Sequence, residues 1–377
     1  MENRLYNVLA LVSAFGTAGI KTVRLYESLD NSGDIDLPFN SFVSCGAFDE
    51  RSRERIRAVK ETDIKTIISD CENNGIEILP IYSERFPERL RNIPAAPLVL
   101  FIKGNLPDID SQPAICIVGP RKVSKFGQKA AFSLARRLAK AGMTVISGSA
   151  VGADTAAHTG VLDAGGVSVM IVAEGILKAL DSSRRDLCRK VLEKGCIVSE
   201  HPPRAAAGKY SFPVRNRLLS GMSLGVVIIE APEKSGALIT AGHALDQGRD
   251  VFVIPGSLND KSYKGSNALL RDGAIPLIDS YDILSRYIID YPEIINIERA
   301  FSEDKTQKTN KNSQKNPLSG LSKEAVLVYN NLIKPEFTVD DLSALDMDGA
   351  MLLSALTELE LEHLVVSLPG GAYKKTV

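Results

Sequence analysis

"GVVIIEAPEKSGALITAGHALDQGRDVFVIPG", residues 225–256, holds one complete unit of the architecture. An unbroken Val/Ile run ends in a loop of small residues, a helix-forming stretch follows, and a second apolar run closes the unit. Apolar runs without alternation are strands buried on both faces, and such strands belong to parallel sheets covered by helices. Further out, "AICIVG" (114–119), "MTVIS" (143–147), "VSVMIVA" (167–173) and "CIVS" (196–199) repeat the signal. The stretches "GQKAAFSLARRLAKAG" and "ADTAAHTGVLDAGG" between them are helical. The pattern predicts a doubly wound α/β domain whose ligands bind at the carboxyl ends of its strands.

Three glycine-bearing loops leave those strand ends: "VGPRKVSKFG" (118–127), "SGSAVGADTAAH" (147–158) and "EKSGALITAGHA" (233–244). Each opens a helix with small residues, so backbone N–H groups and the helix dipole face whatever anion arrives. None is a dinucleotide fingerprint, and none continues into the Lys-Ser/Thr of a P-loop. Asp154 and His158 share a helix face, but no third ligand stands at a metal-site spacing. They are expected to form a hydrogen-bonded pair supporting the loop. No metal and no cofactor is expected.

The 377 residues carry a formal net charge of −1, distributed unevenly. Residues 1–110 hold 13 Lys/Arg against 17 Asp/Glu, residues 111–299 hold 24 against 18, and residues 317–377 hold 4 against 9. Only the middle third attracts a polyanion. Within it, "GKYSFPVRNRLLSG" (208–221) combines Lys209, Arg215 and Arg217 with Tyr210, Phe212 and Asn216 and contains no acid. Cations neutralise phosphates, and an aromatic face stacks an unpaired base of any identity. Duplex DNA exposes no base faces, so this mixture favours a single strand. Arg121, Lys122, Lys125 and Lys129 lie in a second acid-free stretch at another strand end.

The length exceeds what one hydrophobic core usually serves, so several domains are expected. Residues 1–75 are mainly helical, with "RSRERIRAVKETDIKTIISDCENNG" the strongest stretch and Gly75 its stop. The α/β domain occupies 76–299. A polar, Lys- and Asn-rich linker spans 300–318, and 319–377 forms a small module. That module is read as helices over 322–333, 338–345 and 349–361 followed by a hairpin, the winged-helix plan, with Thr338 and Asp341 as an acidic capping box. The five cysteines are scattered without a C-x-x-C pair, which suits buried thiols in a reducing compartment. The start lacks a cleavage site and no run approaches membrane-spanning length, so a cytoplasmic protein is expected.

In the order "IVGPRKVSKFG", "TVISGSAVGADTAAH", "GGVSVMIVAEGI", "CIVSEHPP", "FPVRNRLLSG", "VVIIEAPEKSGALITAGHALDQGRDVFVIPG" and "KGSNALLRDGAIPLI", the chain resembles the DNA-processing protein A (DprA, or Smf) family over roughly residues 80–280. The resemblance implies an extended Rossmann-like domain that binds single-stranded DNA. It also implies a sterile-alpha-motif-like helical domain before it and a winged helix after it. It further implies a homodimer that helps load the RecA recombinase during natural transformation, and a protein that is not an enzyme. Carried over residue by residue, the family's DNA contacts fall on Arg121, Lys209 and Phe212, with Arg215 and Arg217 flanking Asn216; Lys122, beside Arg121 in the second acid-free stretch, is a further expected DNA contact. Gly148, Gly152, Ser235 and Gly236 fall on the glycine-rich positions shaping the same pocket. Two departures stand out. Pro120 occupies the middle of the first loop, where the family commonly has G-S-R. "LKALDSSRRDL" (177–187) replaces a Tyr-Pro turn.

Two other classes compete with this reading. Phosphoribohydrolases of the lysine-decarboxylase-like family share a similar sheet, but their loop carries a Glu where His243 stands here. Without that carboxylate an oxocarbenium-like transition state lacks its charge partner. A winged-helix transcription regulator would read DNA with "DGAMLLSALTELE" (348–360), which has no Lys or Arg and several acids.

Overall fold

The computed structural model describes residues 2–17, 19–302, 321–332, 334, 336–343, 345, 347–361, 364–368 and 372–375. Nearly all of the predicted linker, from residue 303 onward, lies outside the described residues. The described residues up to Ser302 form one compact unit and those from Leu321 onward a second.

The first unit is built on a nine-stranded sheet: β1 (Glu77–Pro80), β2 (Val99–Gly104), β3 (Ala114–Val118), β4 (Thr144–Ser147), β5 (Ser168–Ile171), β6 (Cys196–Ser199), β7 (Gly225–Ile228), β8 (Asp250–Val253) and β9 (Ile275–Pro276). Their order is β1-β2-β6-β5-β4-β3-β7-β8-β9. From β6 to β9 every pairing is parallel, whereas β2 runs antiparallel to β6 and β1 antiparallel to β2. All six strands read from the apolar runs are present. The Pro-rich stretch before the domain adds β1 and β2, an antiparallel extension that widens the sheet.

Side chains alternate between two cores, one on each face. Ile115, Ile117, Val145, Val227, Ile229 and Phe252 enter one cluster, while Cys116, Val118, Ile146, Val226, Ile228 and Val253 enter the other. Both faces are covered, so the strands are mostly apolar, with Thr144, Ser147, Ser168 and Ser199 buried at strand ends. The helices Lys125–Lys140 and Ala153–Asp163 cover the first face. Five N-terminal helices join the second cluster through Leu9, Leu11, Leu29, Phe42, Ile56 and Ile64. The strongest helical stretch is two helices, Glu50–Arg57 and Glu61–Asn73. Asp49 caps the first by accepting from Ser52 N–H (2.7 Å), and Asp63 accepts from Lys60 N–H (3.3 Å) at the start of the second. Gly75, at φ 58°, ends the second.

All five cysteines are free thiols, four of them buried. Among the described residues, no helix is long and apolar enough to cross a membrane.

The second unit contains the helices Lys323–Asn330 and Gly349–Leu361 and a three-stranded antiparallel sheet of β10 (Glu336–Thr338), β11 (Val365–Leu368) and β12 (Ala372–Lys375), ordered β10-β12-β11. The helix expected over 338–345 is corrected here. Glu336–Thr338 pairs with β12, where Phe337 stacks on Tyr373 at 5.8 Å between ring centroids, and only the single turn Asp340–Leu342 follows. Aromatic and β-branched residues favour the pleated edge over a helix. Asp341 still accepts from Thr338 N–H (2.9 Å) and Thr338 Oγ1 (3.1 Å), but the turn's N-cap is Val339 and no side chain caps it.

Candidate nucleic-acid interface

The strand order reverses between β3 and β7. From β3 the chain winds outward through β4, β5 and β6, and from β7 through β8 and β9. Loops diverge at such a switch point and leave a crevice at the carboxyl ends of the strands. An open pocket of about 390 Å³ occupies it. Gly119, Pro120 and Arg121 line it from the end of β3, Ala150 from the loop after β4, Asp154 from the first turn of the helix that follows, and Lys234, Ser235 and Gly236 from the end of β7. The helix Ser211–Gly221 adds Phe212, Arg215 and Asn216.

Arg121 and Phe212 meet directly. The guanidinium lies over the half-buried ring, 4.9 Å from its centroid, a cation–π contact. Lys209 is exposed and its ammonium stands 5.6 Å from the ring of Tyr210, which is 69% exposed. Ser235 caps the helix Gly236–Asp246 by accepting from Ala237 N–H (3.2 Å). That helix presents its positive end to the pocket, beside the exposed Lys234.

The three residues Arg215-Asn216-Arg217 do not share one surface. Successive helical residues point about 100° apart, and these go three ways. Arg215 is buried under the pocket floor, where it donates to the Ile171 carbonyl. Asn216 ties its helix to the next by donating to Gly236 O (3.2 Å). Arg217 is 5% exposed and donates to Glu200 (2.5 Å) and the Thr17 carbonyl (3.4 Å). Burial pushes the Glu200 carboxyl up to about 7 while Arg217 opposes the shift. Arg217 as a phosphate contact is therefore corrected. It is a core residue whose charge is already matched. Lys122 is exposed on the first loop but does not line the pocket.

Two glycines set the loop after β4. A Cβ at Gly148 would lie 2.8 and 2.9 Å from the Arg215 guanidinium nitrogens, and Gly152 adopts φ 101° with its missing Cβ 2.5 Å from the carbonyl oxygens of both Pro120 and Arg121. Asp154 and His158 hold this loop, each through its backbone. Asp154 accepts from Ala150 N–H (3.0 Å), and His158 Nε2 meets the Gly148 carbonyl (2.8 Å) with Nδ1 on Ser168 Oγ (2.7 Å). A carbonyl only accepts, so Nε2 carries the proton and Nδ1 accepts from the serine.

Burial moves His158 from its ordinary 6.5 down to about 4. The unfolded chain then binds more protons than the folded one between those limits. Stability falls as pH drops from about 6.5 to about 4, by about 3 kcal/mol in all. Urea unfolding at pH 7.5, 6 and 5, with His158→Gln as the reference, measures it. Parallel pH profiles for the two proteins would rule it out.

One loop behaves differently from its sequence. The helix Lys125–Lys140 already has an anion at its N-terminus. The buried Glu230 carboxylate accepts from Ser124 N–H (3.1 Å), Ser124 Oγ and Tyr263 O–H (3.0 Å). Burial together with that carboxylate pushes the Tyr263 hydroxyl up to about 12. The first loop therefore offers its side chains, not its helix end, to a ligand. Glu230 is a single acid ending an apolar run, and nothing local in the sequence marks its reach to Ser124. Lys234 belongs to the third glycine-bearing loop and is a pocket cation that composition alone does not single out.

A Rossmann-like domain with a basic, ring-bearing pocket at the switch point of its sheet is a domain suited to phosphorylated ligands. Residues 77–288 match the model of the DNA recombination-mediator protein A family, and the chain belongs to that family. It is 35% identical over 217 residues to the DNA processing protein DprA of Bacillus subtilis, covering 58% of this chain and 73% of that one. It is 36% identical over 283 residues to the protein Smf of Borreliella burgdorferi, covering 74% and 88%. The X-ray structure of DNA processing protein A from Streptococcus pneumoniae superposes with a TM-score of 0.63 at 29% identity, covering 74% of this chain and 97% of that one. The Helicobacter pylori protein, studied for its single-stranded DNA binding mode, gives 0.51 at 27% identity over 57% of this chain and 96% of that one.

Proposed function

We propose that the protein binds single-stranded DNA, without sequence preference, in the switch-point pocket, and that it delivers the strand to the RecA recombinase, as in natural transformation. The observation that carries this reading is the convergence of Arg121, Lys234 and the Phe212 ring around the N-terminus of the helix Gly236–Asp246, with the exposed Lys209 and Tyr210 just before Phe212 in the chain. Cations for phosphates and rings for bases are what an unpaired strand offers contacts to. Arg121 and Lys209 are assigned to phosphates, Phe212 to a base, Ser235 and Gly236 to the walls, and Gly148 and Gly152 to the loop that backs them. Family membership and the Helicobacter pylori protein's named binding mode support the same assignment. The protein acts as a homodimer and a binding protein, not an enzyme. Gel shifts with matched single- and double-stranded oligonucleotides, with and without RecA, test the reading. Equal affinity for duplex, or no effect on RecA filament formation, would count against it.

The second unit is assigned to protein contacts or regulation. Its 4 Lys/Arg against 9 Asp/Glu over residues 317–377 repel phosphate. Truncation at about residue 316 should leave single-strand affinity within a few-fold. Tight DNA binding by the isolated module would reverse this assignment.

A further inference from the structure

The turn that replaces the Tyr-Pro motif contributes a side chain of its own to the pocket's support. Arg184 Nε donates to Ser182 Oγ (3.3 Å), Nη1 donates to the Ser149 carbonyl (2.8 Å) and Ser149 Oγ (2.9 Å), and Nη2 pairs with Glu174. Ser149 and Glu174 are buried. One guanidinium thus fastens the loop after β4, the loop after β5 and its own turn. Glu174 Oε2 is buried with no hydrogen-bond partner among the described residues, so Arg184 is the guanidinium that balances this carboxylate.

Ser149 is the middle of the pocket's second loop. Its neighbours Gly148 and Ala150 are held by His158 and Asp154, and Gly152 packs on the Pro120 and Arg121 carbonyls. A shift at Ser149 therefore reaches the backbone of Arg121. Arg184 itself does not line the pocket.

We propose that Arg184, oriented by Glu174, is a positioning residue for strand binding: it fixes the Gly148–Gly152 loop, and through it Arg121, without touching the DNA. This rests on the single-strand reading above.

The test titrates a labelled oligothymidylate with the full chain at several salt concentrations. Arg184→Gln, Arg184→Lys, Glu174→Gln and the double variant Glu174→Gln/Arg184→Gln are compared, with Arg121→Ala alongside. Arg184→Gln and Glu174→Gln should each weaken binding about tenfold, as loss of outer support does at preorganised sites. The double variant should be no worse than either single one, because both break the same clamp. Arg184→Lys should recover part of the affinity. The salt slopes of Arg184→Gln and Glu174→Gln should flatten alike and by no more than that of Arg121→Ala, because any phosphate contact they lose is the one Arg121 makes. The double variant leaves no lone buried charge, so it keeps the comparison valid if a single variant melts early.

Glu174→Gln gives the decisive sign. If Arg184 were a phosphate contact, removing its carboxylate partner would tighten binding, and Arg184→Gln would flatten the salt slope while Glu174→Gln would not. Either result overturns the proposal. Unchanged affinity in the Arg184 and Glu174 variants, with Arg121→Ala weakened, overturns positioning alone. Unchanged affinity in Arg121→Ala as well overturns the single-strand reading with it.

Discussion

Gly152→Ala should lower stability by about 2–5 kcal/mol and remove most of the DNA affinity that remains per folded molecule. Gly152 adopts φ 101° and ψ −123°, backbone space that only glycine occupies without strain. The new methyl would also stand 2.5 Å from two carbonyl oxygens, those of Pro120 and Arg121. Backbone atoms cannot swing aside as a side chain end does. Relief requires the first loop to leave the second, which moves Arg121. Gly236→Ala supplies the contrast. A Cβ there meets nothing within 4 Å of the protein, and the residue lines the pocket. It should melt like the parent while losing affinity, since its methyl enters the space assigned to the strand. Thermal melting and oligonucleotide titration of both variants distinguish backbone strain from ligand contact. A Gly152→Ala protein melting with the parent would refute the close approach.

The sheet was legible because its evidence is local and redundant. Each run such as "AICIV" or "GVVII" is apolar at every position, and a strand buried on both faces leaves no other reading. β1 and β2 were obscured by Pro80 and the prolines around them, since Pro punctuates strands at edges. The pocket's loops were legible for the same reason as the strands. They follow the strand ends. What the sequence could not show was direction. Arg215, Asn216 and Arg217 read as one basic patch, but a helix sends them to the floor, to the next helix and to Glu200. Nor does a sequence mark long-range partners. Glu230 reaches Ser124 across 106 residues, and Arg184 reaches Ser149 across 35. In the second unit, Thr338 and Asp341 are hydrogen-bonded but do not open a helix, because pairing with β12 claims Glu336–Thr338.

Arg121→Ala and Phe212→Ala should both cost affinity, and their salt dependences should separate charge from ring. A stacked base contributes about 1–3 kcal/mol by alanine substitution, roughly a five- to 150-fold loss. A phosphate contact on a single strand contributes about 0.7 to the slope of log affinity against log salt. Arg121→Ala should therefore flatten that slope by about 0.7, and Lys209→Ala should do the same. Phe212→Ala should lower affinity with the slope intact, since stacking releases no counterion. The 4.9 Å contact between the Arg121 guanidinium and the Phe212 ring adds a second signature. The two side chains touch, so their losses should not sum, and the double variant should fall short of the product of the singles. Arg121→Lys should keep the salt slope but not the full affinity, because an ammonium lacks the planar face that lies on the ring. Phe212 is half-buried and lines the pocket, so its truncation should leave melting within a few degrees of the parent. A deeply buried phenylalanine would instead lose about 3–5 kcal/mol of stability. A strongly lowered melting point for Phe212→Ala, with binding per folded molecule unchanged, would make the ring a packing residue and leave the strand to the cations alone.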